Sequence, residues 1–353
     1  MAKLAGAQDL GDDRIMNPLD LPEDSLAAWL AHAIPGFRGP LTATKFKGGQ
    51  SNPTYLIDAA SGKYVLRRKP PGQLLASAHA VDREFRVLKA LHGGAVPVAE
   101  PLHLCTDESV IGSMFYLMQY VEGRIFWDPS LPEIAAGQRA AYYDALISTL
   151  AALHGIDVAA VGLAEYGKPG NYFARQISRW SDQYRASETQ AIPAMDALME
   201  RLPARCPADD GVVALVHGDY RIDNLMFHPE QPRIIAVVDW ELSTLGHPLA
   251  DLGYFCMALR LPRNPALPGL AGLDRAELGI PDEAAILRRY TELTGRPMPA
   301  DWPFVLAFSF FRLAAIAQGV AKRSQQGNAS SEKAAQAGQM TALLADTGLR
   351  TLG

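Results

Sequence analysis

The sequence contains few cysteines, the residues that form the disulfides of small secreted domains and bind many structural metals. Its three cysteines lie far apart among 353 residues and form no C-x-x-C pair. This argues against a disulfide framework and against a cysteine-rich metal site. The net charge of −5 shows no basic excess, so we expect no nucleic-acid partner and no membrane partner. The first residues contain no long apolar core, so we expect no signal peptide and a cytoplasmic location.

Long uninterrupted hydrophobic runs are also missing, although 48% of the residues are hydrophobic and 20% are charged. That balance is ordinary for a globular protein. The most apolar stretch, at 303–321, is interrupted by Arg312 and Gln318. We therefore expect a buried helix there and not a membrane span.

Short β-rich runs and long helical periodicities occupy different parts of the chain. After a predicted helix at 21–34, the runs T-A-T-K-F, T-Y-L-I-D and K-Y-V-L-R-R predict strands between residues 41 and 68. Residues 78–92 return to helical spacing, and two further strands are predicted at 101–105 and 113–120. The predicted helices of the remaining chain are 132–155, 171–187, 282–294, 301–323 and 331–348.

One polar segment interrupts the helical part. H-G-D-Y-R-I-D-N at 217–224 lies between two apolar runs, and D-W-E at 239–241 ends the second run. Oxygen ligands from Asn224 and Asp239, with Glu241 as a further candidate, would suit Mg²⁺, which leaves Asp219 to accept the proton of an attacking hydroxyl. For any one of these residues alone, a turn with an Asx-type hydrogen bond or an exposed strand end is the alternative.

These segments resemble the protein-kinase-like fold and, within it, the aminoglycoside phosphotransferase-like small-molecule kinases. H-G-D-Y-R-I-D-N stands where protein kinases carry H-R-D-L-x-x-x-N, and D-W-E stands where they carry D-F-G. The resemblance implies an α+β, bilobal fold. Its N-lobe, residues 1–121, would hold a small antiparallel sheet and one helix, and its C-lobe, residues 122–353, would be larger and mostly helical.

The same resemblance implies ATP and Mg²⁺ as cofactors. Asp219 would be the catalytic base, Asn224 and Asp239 would hold Mg²⁺, and Glu241 would be a second candidate ligand. Asp251, in the following S-T-L-G-H-P-L-A-D-L segment, would brace the catalytic loop.

A phosphate-covering loop is expected in F-K-G-G-Q-S-N-P-T-Y at 46–55. Gly48 and Gly49 would let the backbone approach phosphates, and Ser51 and Asn52 would donate hydrogen bonds. A plain hairpin turn is the alternative. The connector at 116–123 is expected to be the hinge, where backbone groups from Gln119 to Val121 would bind adenine and Met118 would be the gatekeeper.

A buried ion pair is the sharpest expectation. Alternation puts Val65, Arg67 and Lys69 on one strand face, and Arg67 matches the lysine of V-A-I-K in kinases. Glu84 lies at the edge of a helical apolar stripe, and the stripe consists of Val81, Phe85, Leu88 and either Leu91 or His92. An inward acid needs a cation, so we predict an Arg67–Glu84 pair near the nucleotide. Lys69 is the fallback cation, and solvated positions are the alternative for both charges.

The stretches at 46–55, 65–85, 150–157 and 171–184 narrow the resemblance to the kinase-like domain fused to certain acyl-CoA dehydrogenases. That resemblance implies a small-molecule acceptor, such as a hydroxyacyl-CoA or a hydroxy acid, and not dehydrogenation. Candidate acceptor contacts are Arg175, Arg179, Tyr220 and Arg221, and a solvated helix face is the alternative for the first two. A nucleotide-binding regulatory module without turnover, an aminoglycoside- or choline-type kinase and a protein kinase remain as alternatives.

Overall fold

The computed structural model describes residues 21–46, 52–70, 80–264, 267–323 and 331–353. The chain forms two compact units. The first comprises Met1–Arg124 and Leu225–Glu241, and the second comprises Ile125–Asn224 and Leu242–Gly353. The predicted boundary between residues 121 and 122 stays a prediction.

The first unit is built on a five-stranded antiparallel sheet in the order β1-β2-β3-β5-β4. Its strands are β1 (Leu41–Lys45), β2 (Thr54–Ala59), β3 (Gly62–Arg68), β4 (Pro101–Cys105) and β5 (Phe115–Gln119). Helix α1 (Glu23–Ala33) buries Leu26 and Leu30 in the same hydrophobic cluster as Tyr55 and Ile57 of β2. The last two residues are two apart, so the pleat of β2 directs both to one face.

Helix α2 (Val81–Leu91) carries the inward acid of the first unit. Its buried residues are Val81, Glu84, Val87, Leu88 and Leu91. The predicted stripe is therefore corrected in part, because Val87 belongs to it while Phe85 is only half-buried and His92 is exposed. Glu84 lies well inside the buried face and not at its edge, since it is only 1% exposed.

A short β-hairpin from the motif region also belongs to the first unit. Strand β6 (Arg124–Ile125) ends the N-terminal stretch, and β8 (Leu225–Phe227) pairs antiparallel with β9 (Ile234–Val237). The backbone N–H of Val237 donates to the carbonyl of Pro97 at 2.8 Å, which ties β9 to the chain after α2. The D-W-E segment follows β9 directly, as the apolar run predicts.

In its described residues the second unit is mostly helical, and its strands β7 (Ala214–Val216) and β10 (Thr244–Gly246) pair antiparallel. Its helices are α3 (Ala136–His154), α4 (Tyr172–Ser187), α5 (Pro193–Arg205), α6 (Leu249–Met257), α7 (Glu283–Thr294), α8 (Trp302–Arg323) and α9 (Ser331–Leu352). Rings of α4 and α8 meet in its core, where Phe173 lies 5.1 Å from Phe308 and 5.4 Å from Phe304, both edge to face. The predicted fold class, with an antiparallel sheet in the N-terminal part and helices in the C-terminal part, is confirmed.

Helix α8 is long and apolar enough to cross a membrane by length and composition alone, but 78% of its most apolar window is buried inside the protein. The predicted buried helix is thus confirmed. Helix α5 is missing from the sequence prediction, because Pro203 within it suggests a break. Pro193 at its first turn, with Leu198 and Leu202 on one face, is the signal that identifies it.

Candidate functional site

Asp219 lies in the second unit, on the loop between β7 and a single 3-10 turn at Ile222–Asn224. Its carboxylate accepts a hydrogen bond from Nδ2 of Asn224 at 2.9 Å, and its other oxygen lies 3.3 Å from Nε of Arg221. The hydroxyl of Tyr254 donates to the same carboxylate. Two hydrogen bonds and one ion pair therefore fix the carboxylate while its side chain keeps 19% of its surface exposed. An oriented, accessible carboxylate is what a general base requires.

Asp251 fixes the backbone of this loop through hydrogen bonds. It is 1% exposed, and its two oxygens accept the backbone N–H groups of His217 at 2.6 Å and Gly218 at 2.8 Å. Burial alone would raise the pKa of Asp251, but the His154 side chain and these N–H donors outweigh it and lower the pKa. The predicted bracing role of Asp251 is confirmed.

Gly218 is required by the fold of the loop. Its φ is +82°, and a Cβ there would lie 2.5 Å from the carbonyl oxygen of Leu242. A side chain at this position would meet both backbone strain and backbone atoms that cannot move aside. The glycine therefore lets Asp251 hold the two N–H groups that precede Asp219.

A cluster of charges forms a second constellation, entirely within the first unit. Arg67, on β3, is 9% exposed, and its Nε lies 2.8 Å from Glu84. One terminal nitrogen lies 2.8 Å from Asp239 and 3.5 Å from Glu241. The structure thus places Arg67 and Glu84 in the predicted contact and adds two acids to it.

Glu84 is also held by neutral donors. Nδ2 of Asn52 donates to one oxygen at 2.7 Å, and the hydroxyl of Tyr116 donates to the other at 3.2 Å. Burial raises the pKa of Glu84, opposed by Arg67 and by these hydrogen bonds. Burial would lower the pKa of Arg67, but Glu84 and the other acids outweigh it and raise that pKa.

Asp239 adopts a conformation that is rare for a residue with a side chain. Its φ is +68°, in the left-handed region. Such backbone strain persists only where the surroundings impose it, and it concentrates at functional sites. Here the next residue, Trp240, is fully buried and donates its Nε1–H to the carbonyl of Val237 at 3.0 Å. The buried indole anchors the turn that presents the Asp239 carboxylate.

The donor chemistry of the first unit fits a divalent cation. One guanidinium there faces the three carboxylates of Glu84, Asp239 and Glu241, so negative charge is in excess around it. The side chains of Asp239 and Glu241 are 33% and 23% exposed, so both remain accessible. Within the described residues, no group of three or more His, Cys, Asp or Glu side chains is arranged as a metal site. Mg²⁺ needs fewer carboxylates than that, because it keeps several waters.

The remaining predicted nucleotide contacts are placed as follows. Gly48, Gly49 and Ser51 lie outside the described residues. Asn52 is fully buried and uses its amide on Glu84, so in this structure it positions that acid. The N–H of Gln119 donates to the carbonyl of Glu100 at 2.9 Å, and Val121 is half-buried just after β5.

The predicted acceptor contacts do not form one group. The guanidinium of Arg175 donates to the carbonyls of Lys168 and Pro169 at 2.6 and 3.3 Å, and Arg179 is exposed. Tyr220 is fully buried, and its hydroxyl donates to the carbonyl of Leu146 at 2.7 Å, so the structure places it in the core. Of this set, Arg221 lies beside Asp219, where it also pairs with Asp223 at 3.0 Å.

Two residues near Asp219 escaped the sequence analysis. Tyr254, which hydrogen-bonds Asp219, lies one helical turn after Asp251 on α6, so the spacing from that aspartate could have identified it. Arg312 lies in the middle of the apolar helix α8 and is nevertheless buried. Its sequence signal is a single charge within an apolar stretch.

Residues 42–289 match the model of the phosphotransferase enzyme family. The chain belongs to this family. The resemblance inferred from the motifs is thereby confirmed.

Curated relatives of this phosphotransferase-family chain are named after another activity. Acyl-CoA dehydrogenase family member 10 of Mus musculus is 47% identical over 334 residues, which are 94% of this chain and 31% of the relative. Probable acyl-CoA dehydrogenase IBR3 of Arabidopsis thaliana is 46% identical over 341 residues, 90% of this chain and 41% of the relative. The chain therefore spans less than half the length of these relatives.

Solved structures agree with the family. The crystal structure of a "putative aminoglycoside phosphotransferase" from Ralstonia eutropha is 50% identical, with a TM-score of 0.86 over 94% of this chain and 98% of that one. Aminoglycoside phosphotransferase APH(4)-Ia, solved with AMP-PNP and hygromycin B, is 18% identical, with a TM-score of 0.60 over 92% of this chain and 98% of that one. The second likeness shows the fold alone.

Proposed function

We propose that this chain transfers the γ-phosphoryl group of ATP, as its Mg²⁺ complex, to a hydroxyl group of a small molecule. The observation that carries the proposal is Asp219, an accessible carboxylate fixed by Asn224, Arg221 and Tyr254 in a chain of the phosphotransferase family. The acceptor oxygen forms a bond to the γ-phosphorus as the bond from that phosphorus to the bridging oxygen of ADP breaks. Asp219 takes the hydroxyl proton.

Each unit carries residues that we propose as cation ligands. In the first, Asp239 and Glu241 supply carboxylate oxygens next to Arg67. In the second, Asn224 uses its amide nitrogen on the backbone carbonyl and the carboxylate of Asp219, so Oδ1 is its ligand atom. Mg²⁺, when bound, would neutralise the phosphate oxygens during transfer.

We propose the segment at 46–55 and the strand end from Gln119 to Val121 as nucleotide contacts. Arg67 receives a modified role. Because its guanidinium touches Glu84, Asp239 and Glu241, we propose that it orients these acids in addition to any contact with phosphate.

A hydroxyacyl-CoA or hydroxy acid is our proposed acceptor class. The names of the curated relatives, which contain acyl-CoA dehydrogenase, support an acyl compound. The buried Arg312 against the Tyr254 ring also supports it, because a cation there disfavours a polycationic aminoglycoside.

The test is ADP release on a panel of hydroxyacyl-CoAs, hydroxy acids, choline, sugars and aminoglycosides, with Mg²⁺ and ATP. Asp219→Asn should lower kcat about 10²- to 10⁴-fold, the usual contribution of a general base, with an unchanged melting temperature. Asp346→Asn, at an exposed carboxylate of the same unit, is the matched control. ATP binding without turnover on any acceptor would favour a regulatory module and refute the proposal.

A further inference from the structure

Arg312 is a buried cation in an apolar helix. It is 5% exposed, and most of its neighbours on α8 are buried hydrophobic residues. Two aromatic rings flank its guanidinium, with the ring centroid of Trp180 at 5.6 Å and that of Tyr254 at 5.5 Å. Cation–π contacts of this kind stabilise a guanidinium but leave its in-plane N–H donors available.

The buried arginines of the first unit have the partners that a buried charge requires. Arg67 contacts three carboxylates, and Nε of Arg68 donates to the Ser113 hydroxyl at 2.9 Å. Arg312 differs from both, since no carboxylate of the described residues lies within 4.0 Å of it and no described side chain or carbonyl accepts its N–H groups. A guanidinium that is 5% exposed and has no such partner among the described residues keeps its N–H donors available to an anionic or carbonyl group.

The position of Arg312 connects it to the reaction. The same Tyr254 ring that lies against its guanidinium donates its hydroxyl to the Asp219 carboxylate. Asp219, Tyr254, Arg312 and Trp180 all belong to the second unit. One tyrosine therefore separates the proposed base from an arginine whose donors are directed at no acid of the described chain.

We propose that Arg312 binds the acyl oxygen of the acceptor, and so selects hydroxyl compounds that carry a carboxylate or a thioester carbonyl. The inference rests on the proposed function, because it names the acceptor group that the same site recognises. A planar guanidinium pairs with a carboxylate through two parallel hydrogen bonds and donates to a single carbonyl oxygen through one or two. Trp180 and Tyr254 hold its plane fixed, which reduces the entropy lost on binding.

The experiment compares Arg312→Met and Arg312→Lys with Arg323→Met, the same change at an exposed arginine of α8. Initial rates of ADP release are measured with straight-chain hydroxy acids, their CoA thioesters and neutral diols of equal length. Arg312→Met should raise the KM for the acids and thioesters about 10- to 100-fold, the effect of losing a hydrogen bond to a charged group. The KM for ATP, the acceptor-independent ATP hydrolysis and the rates with diols should stay within about twofold.

The KM of Arg312→Lys for acids and thioesters should lie between the values of the natural chain and of Arg312→Met. Lysine keeps the positive charge but lacks the planar guanidinium. An effect on free acids alone identifies a carboxylate partner, and an effect on thioesters as well identifies the carbonyl oxygen; both support the proposal. An equal loss with diols, or a parallel loss of ATP hydrolysis, would assign Arg312 to packing and overturn it. The same holds if Arg179→Met, at the exposed arginine 5.5 Å from the Trp180 ring, raises the KM and Arg312→Met does not.

Failure of the proposed function can be distinguished from failure of the role proposed for Arg312. If the natural chain releases no ADP with any acceptor, titration calorimetry with the same acids and thioesters decides. Binding that Arg312→Met abolishes and Arg323→Met preserves would support the anion site even without turnover. No binding by the natural chain would overturn it.

Discussion

Replacing Glu84 by glutamine should weaken turnover far more than folding. The carboxylate accepts hydrogen bonds from Nδ2 of Asn52 at 2.7 Å and the Tyr116 hydroxyl at 3.2 Å, and it forms an ion pair with Nε of Arg67 at 2.8 Å. Glutamine has nearly the same shape but only one acceptor oxygen, and its amide nitrogen would point at one of these donors. One charge-assisted hydrogen bond is therefore lost, together with the charge that holds Arg67 in place.

The stability cost is limited by two features. A lost hydrogen bond to a charged group costs about 1.5–3 kcal/mol. Against this, burial raises the pKa of Glu84. A group whose pKa is higher in the folded than in the unfolded state loses its stabilising contribution as the pH rises through the folded-state pKa. The ionised carboxylate is thus penalised at neutral pH, and a neutral glutamine escapes that penalty. Arg67 also keeps Asp239 and Glu241, so we expect a net loss below about 2 kcal/mol.

The loss of activity follows from the contacts of Arg67 with Asp239 and Glu241. Freed from Glu84, the guanidinium should bind Asp239 and Glu241 more closely, and these are the proposed Mg²⁺ ligands. Changes at side chains that orient metal ligands typically cost about 10- to 100-fold in metal affinity or activity. We expect kcat/KM for MgATP to fall by that factor, with a larger Mg²⁺ requirement.

The assay measures kcat/KM across a Mg²⁺ titration together with thermal unfolding. Glu108→Gln, at an exposed acid of the first unit, is the control for a lost surface charge. Full activity of Glu84→Gln would refute the role of the ion pair. So would a fall in melting temperature large enough to account for the lost activity.

Two further predictions concern the second unit. Asp251→Asn should destabilise the protein by about 1.5–3 kcal/mol and also lower kcat, because an amide can accept only one of the two backbone N–H groups that Asp251 binds. Unfolding and kinetics measured on the same samples check this. Asp219→Asn is the comparison and should change kcat alone. Burial lowers the pKa of His154 below its ordinary 6.5. On acidification, His154 therefore binds a proton in the unfolded chain at a higher pH than in the folded chain. The melting temperature should therefore start to fall as the pH drops through 6.5, and His154→Gln should flatten that part of the profile while His32→Gln, at an exposed histidine, should not; a flat profile for the natural chain would contradict the assignment.

Periodicity was sufficient for those parts of the site that depend on one element at a time. Alternation along β3 and helical spacing in α2 indicated that Arg67 and Glu84 both point inward, and opposite buried charges must pair. It could not show that Asn52 would bond Glu84, because that contact joins a loop to a helix thirty-two positions away. The sequence instead suggested phosphate as the partner of its amide.

The acceptor side depended on contacts that no local pattern encodes. Arg175 and Arg179 have helical spacing that suggests a joint anion site, yet one bonds nearby carbonyls and the other is exposed. Arg312 and Tyr254 come from helices far apart in sequence, and only packing brings the ring against the guanidinium. A lone charge in an apolar helix predicts burial with some partner, but the identity of that partner requires the structure.

The same reasoning explains why arginine suits the strand position where protein kinases carry lysine. The fork of Arg67 contacts three acids from two separate segments, with Nε on Glu84 and one terminal nitrogen shared by Asp239 and Glu241. A lysine ammonium is a single point charge, whereas Arg67 meets Glu84 and Asp239 with different nitrogens of one planar group. The second acid of D-W-E, where kinases have glycine, adds negative charge that a wider cation can meet. The two departures from the protein-kinase pattern, Arg67 and Glu241, are therefore complementary, since Glu241 adds an acid that a terminal nitrogen of Arg67 meets at 3.5 Å.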